Sequence, residues 1–120
     1  MQTGHELVRK SLDELNARAR ERGIAGVVRV EKIGSGREVI TLESYVPAWN
    51  DYLELSVALD STGGDPIVSA SLSVMASGEL LAQERATSIA AEQVATTIRE
   101  QVERLEQIMW TVLAKDRAQA

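Results

Sequence analysis

The sequence predicts an α+β fold: an N-terminal helix, an antiparallel four- to five-stranded meander sheet, and a long C-terminal helix packed on one sheet face. Three observations carry that reading. First, Ala91, Ala95, Ile98, Val102, Leu105, Met109 and Val112 recur at alternating four- and three-residue steps. That spacing lays side chains along one seam of a helix running from about Ser88 to Arg117. Second, Leu53, Leu55, Val57 and Leu59 alternate with polar or small residues, and Val68, Ala70, Leu72 and Val74 alternate with Ser69, Ser71 and Ser73. A sheet with one apolar and one polar face is the antiparallel pattern, roofed by helices on one side. Third, Leu7, Val8, Leu12, Leu15 and Ala19 form an apolar stripe at helical spacing ahead of the strands.

Taken in order, Thr3-Gly4-His5-Glu6 has the form of a capping box at the start of the first helix. Arg18, Arg20 and Arg22 crowd its last turn, where cations suit the helix dipole. Gly23 stands where a left-handed stop residue belongs, with Ile24 placed to pack back on Ala19. Val27 to Ile33 is β-prone, Gly34-Ser35-Gly36 is a turn, and Arg37 to Val46 is a second strand that Pro47 ends. Pro47-Ala48-Trp49-Asn50 and the stretch Asp60 to Pro66 connect the clearer strands that follow. Residues 77–87 fit neither period; a fifth strand from Leu80 to Thr87 is favoured over an early start of the last helix, with the helix cap near Thr87 or Ser88. A helix of about thirty residues is on the order of 45 Å long, and strands of eight to ten residues span roughly 27–34 Å. The last helix is therefore expected to overhang the sheet.

The 120 residues suffice for a single α+β domain, 1–120, and with two Trp, two Tyr and no Phe its core must be aliphatic. A formal net charge of −5 argues against nucleic acid as a partner, because phosphate-backbone binding needs a cationic footprint. No cysteine is present, which excludes disulfides and thiolate chemistry. No apolar run approaches the roughly 18 residues of a membrane span, so no membrane contact is expected and the default compartment is cytoplasmic.

The search for chemistry yields no catalytic, cofactor-binding or metal-ligating residue. His5 is the only histidine and lies in a first helical turn, so a triad or zinc site has nothing to build on. Gly34-Ser35-Gly36 lacks the spacing and the following helix of a phosphate loop. Asp60 and Asp65 lack the EF-hand spacing and its terminal Glu. Glu31, Glu43 and Glu54 read as charges on a wet sheet face, without the apolar pocket that would prepare one for acid–base work. Arg18, Arg20, Arg22, Arg29 and Arg37 are close in sequence but no aromatic residues interleave them.

What stands out is the end of the last helix. Ile108, Met109, Trp110, Val112 and Leu113 spread the apolar arc beyond one stripe, so the helix must be covered from more than one side. Val102, Leu105, Ile108, Met109, Trp110, Val112 and Leu113, with Trp49, are the residues expected to meet a second copy or another protein. Tryptophan is enriched where interfaces concentrate their energy.

The stripe Leu7–Leu15 leading into Gly23-Ile24, the strands at Val27, Val39 and Leu53, and the closing run Val94–Leu113 resemble small secretion chaperones of the type III class and YbjN-like bacterial proteins. Those chaperones usually have a helix between their middle strands, and this sequence has none. The resemblance implies a homodimer that holds an extended partner segment. The expected function is thus a non-enzymatic protein-interaction module, an adaptor, chaperone or assembly component, that self-associates through its long C-terminal helix. The alternatives are a small-ligand-binding or enzymatic domain with a pocket between sheet and helices, and a viral or phage structural or inhibitory protein.

Overall fold

In the computed structural model, which describes residues 4–32 and 36–119 and the side chains of 6–31 and 36–115, helix α1 (Gly4–Glu21) stops where its sequence dictates. Gly23 takes φ +82°. Its N–H donates to Arg20 O at 3.0 Å and the Ile24 N–H to Ala19 O at 2.9 Å. This pair of reversed hydrogen bonds closes the last turn, with Ile24 and Ala19 both buried beside it. The Thr3 cap, most of the Gly34-Ser35-Gly36 turn and the side chain of His5 lie outside the described residues.

Five strands follow: β1 (Ala25–Lys32), β2 (Arg37–Val46), β3 (Asp51–Asp60), β4 (Ile67–Val74) and β5 (Leu80–Ala86). They form one antiparallel sheet in chain order. The expectation of a fifth strand at 80–87 is met, and turns alone connect β2 to β3 and β3 to β4. The register lines up Val28, Leu42, Leu55, Leu72 and Ala82 as one row across all five strands, with Val30, Ile40, Val57, Ala70 and Glu84 as the next. Both rows face the helices. The opposite face carries rows such as Arg29, Thr41, Ser56, Ser71 and Gln83, with a Thr41–Ser56 hydroxyl hydrogen bond of 2.9 Å between neighbours.

Helix α2 (Val94–Gln119), entered through a 3₁₀ turn at Ala91–Gln93, lies over β4 and β5, while α1 lies over β1 and β2 and touches α2 along the middle. Its start differs from expectation. Ala90 is the N-cap and makes no side-chain cap hydrogen bond, whereas Ser88 sits at φ +53° in the connection. Ala91 and Ala95 are exposed; the buried seam runs Val94, Ile98, Gln101, Val102, Leu105 and Met109. The reason is the 3₁₀ turn, which delays the helix, together with buried Ile89, whose N–H reaches Pro66 O at 3.3 Å and fixes the entry. Gln101 belongs to the seam because its Nε2 donates to Val68 O at 3.1 Å, a polar tie between the helix and the sheet beneath it.

At the other side of the roof, Asn16 Nδ2 donates to Gly26 O at 3.1 Å. A Cβ at Gly26 would lie 2.8 Å from Asn16 Oδ1 and 2.9 Å from Glu43 O, so only glycine lets α1 approach β1 this closely. Gly26→Ala is expected to lower stability by about 1–3 kcal/mol through overpacking. Gly63, whose added Cβ would meet nothing within 4 Å, supplies the control. Urea denaturation of both variants checks this, and equal midpoints would show that the α1–β1 contact is not tight.

Candidate functional site

The sheet has one end at which β2 and β4 finish and β3 and β5 begin; α1 also finishes there, next to the start of β1. The C-terminal half of α2 reaches the same end. Together these elements enclose a cleft of about 650 Å³ lined by Arg22, Gly23, Ile24, Val46, Pro47, Ala48, Trp110, Leu113 and Ala114. Ile24 is placed by the turn that ends α1, and Pro47 and Ala48 by the β2–β3 connection, which Trp49 N–H to Val46 O (3.1 Å) and Asn50 N–H to Pro47 O (3.2 Å) keep tight.

Glu106 stands beside this cleft as the junction between the two helices. Arg18 donates to both its oxygens, Nε at 3.0 Å and Nη2 at 2.5 Å, and Trp110 Nε1 donates to Oε2 at 3.0 Å. Burial pushes the Glu106 carboxyl up, but the hydrogen bonds from Arg18 and Trp110, with the charges of Arg18 and Arg22, hold it below its ordinary value. The Arg18 guanidinium is raised in turn, chiefly by its hydrogen bond to Glu106. Arg22 stacks on the Trp110 ring with 4.2 Å between guanidinium carbon and ring centroid.

Of the residues expected at an interface, Val102, Leu105 and Met109 are 3%, 0% and 1% exposed, inside the chain's own core. Helix α2 spends its seam on α1 and the sheet, so these three have no surface to give a partner. Trp110 and Leu113 are half-buried cleft walls, Val112 is half-buried, and Ile108 is exposed. Trp49 is half-buried against the core and is not a cleft wall. The exposed large apolar side chains among the described residues are Val27, Tyr52, Met75, Leu80 and Ile108. Each belongs to the same end: Val27 near the start of β1, Tyr52 opposite Tyr45, Met75 and Leu80 around the β4–β5 turn, Ile108 in the second half of α2. Tyr45 and Tyr52 meet edge to face at 5.2 Å, and the Tyr45 hydroxyl donates to Asn50 Oδ1 at 2.8 Å.

Of the other polar candidates, Glu31, Glu43 and Asp60 have structural partners. Glu43 faces Glu54 in register and pairs with Arg29, which also lies 3.9 Å from Glu31. Asp60 accepts from Thr62 N–H at 3.0 Å and Thr62 Oγ1 at 2.6 Å, which lowers its pKa and closes its own turn. Among the described residues no group of three or more His, Cys, Asp or Glu converges as a metal set, and no helix is long and apolar enough to cross a membrane. Sequence reasoning missed the Arg18–Glu106–Trp110–Arg22 assembly. Its only linear trace is Glu106 four residues before Trp110, opposite an arginine-rich helix end.

Comparison with protein-family models, curated proteins and solved structures finds no match for this chain.

Because the folded-state value of Glu106 is depressed, its contribution is present above the unfolded value and lost as pH falls through the folded one. Glu106→Gln is expected to cost about 1–2 kcal/mol at neutral pH through weakened charge-assisted hydrogen bonds. The gap to wild type should close as pH falls below roughly 4. Urea melts at both pH values read this directly; a gap that persists in acid would assign the loss to packing instead.

Proposed function

We propose that this chain is a non-enzymatic protein-interaction module, an adaptor, chaperone or assembly component, that forms a homodimer through the end of the molecule bearing the second half of α2. The carrying observation is that Val27, Tyr52, Met75, Leu80 and Ile108 all lie toward that one end, Val27, Tyr52 and Leu80 on the outer sheet face and Ile108 on the helix layer. Exposed apolar residues scattered singly need no explanation, whereas a gathering of them marks a contact surface. Ile108 and Val112, one helical turn apart, supply the α2 part of this surface. A binding role rather than a catalytic one is supported by three of the carboxylates: Glu43, Asp60 and Glu106 are each held by a structural partner. A chaperone-like mode, in which the dimer holds an extended segment of another protein, is the form of interaction we favour. The proposed compartment is the cytoplasm.

The test is absolute mass by light scattering after size exclusion. Wild type should elute at twice 13.1 kDa, and an Ile108→Glu/Leu80→Glu variant at the monomer mass with an unchanged far-ultraviolet spectrum. Both positions are exposed, so the fold should survive the charges. A wild-type monomer throughout the accessible concentration range would overturn self-association.

A further inference from the structure

The cleft at the end of α1 carries chemistry that self-association does not use. We propose that it is a binding site for a small amphipathic organic anion, an apolar body ending in a carboxylate, with Arg22 as the group that takes the carboxylate. The volume of about 650 Å³ falls within the roughly 300–1,000 Å³ of small-molecule sites. Its walls are apolar: Ile24, Val46, Pro47, Ala48, Trp110 and Leu113. Among the described residues, Arg22 is the one charged side chain that lines the cleft.

Three features make Arg22 available. Glu106, a carboxylate that feels the charge of Arg22, already accepts two hydrogen bonds from Arg18 and one from the Trp110 indole. Among the described residues no carboxylate lies within ion-pair distance of Arg22. Arg22 Cζ lies 4.2 Å from the Trp110 ring centroid, a contact that holds the guanidinium at the cleft wall and uses none of its N–H donors on a carboxylate. Of the arginines at the end of α1, Arg18 is paired with Glu106 and Arg22 lines the cleft. Arg22 therefore favours an anion at this wall of the cleft although the chain as a whole is acidic. An alcohol of the same length would fill the apolar walls but leave Arg22 unanswered; an amine would be repelled by it.

Octanoate, octanol and octylamine are the probes, titrated into the full chain and followed by thermal shift and tryptophan fluorescence. Octanoate should raise the melting temperature and change the emission, binding about tenfold or more tighter than octanol, the discrimination expected of one charge-assisted contact. Arg22→Gln should weaken octanoate by a similar factor and leave octanol unchanged. Ala48→Trp, at an exposed turn position on the cleft wall, should weaken both by filling the space. Far-ultraviolet spectra of both variants identify any loss that comes from unfolding. No response of wild type to octanoate would overturn the proposal. So would equal octanoate binding by wild type and a folded Arg22→Gln, or an Ala48→Trp variant that binds both probes as before.

Discussion

One apolar sheet face roofed by two helices from opposite ends of the chain is the constraint on which the rest depends. The rows through Leu42, Leu55 and Leu72 and through Ile40, Val57 and Ala70 are almost wholly buried, and neither α1 nor α2 covers them alone. At about 1.5–3 kcal/mol for each fully buried large aliphatic side chain, this face is the main source of stability in a chain with no Phe. The two helices must therefore sit side by side, and their contact needs polar fastening where it reaches solvent. Glu106 gives that fastening to Arg18 and Trp110 at one end; Gln101 ties α2 to the sheet farther back.

The same constraint explains the charge on the inward row. Glu84 faces the helices from the edge strand β5, and Arg104 of α2 donates its Nε to both carboxylate oxygens at 2.6–2.7 Å. An inward-pointing charge on an edge strand discourages another sheet from adding there. On the opposite edge, β1 presents Arg29 and Glu31 between its apolar residues. Sheet extension is thus discouraged at both edges. The exposed large apolar side chains among the described residues lie toward one end of the fold.

Much of the architecture was legible in sequence because period and position agreed: the α1 stripe, the alternation of β3 and β4, and the Gly23 stop all correspond to observed elements. β5 was hard to read for a physical reason. Its inward positions are Ala82, Glu84 and Ala86, small or charged because α2 covers them closely, and the register shifts between Leu72 and Ser73, displacing Leu81 from the alternation. The α2 seam was readable in spacing but not in purpose. A stripe at Val102, Leu105 and Met109 looks the same whether it meets the chain's own sheet or a second chain, and only the placement of α1 decides it. The Arg22–Trp110 stack was not legible at all, since no periodic signal links residues 88 positions apart.

Val112 shows why surface collects at this end. It continues the buried line of Leu105 and Met109 along α2, yet it is only half-buried, because the roofed sheet runs out near Val46 and Val74 while the helix goes on. At 100° per residue, the helix then sends Trp110 and Leu113 toward α1 and Ile108 toward β5. The hydrogen bonds of Glu106 to α1 and Arg104 to β5 fix that orientation. The cleft therefore lies on the α1 flank of this helix and Ile108 on its β5 flank, while Val27, Tyr52 and Leu80 lie on the outer face of the sheet.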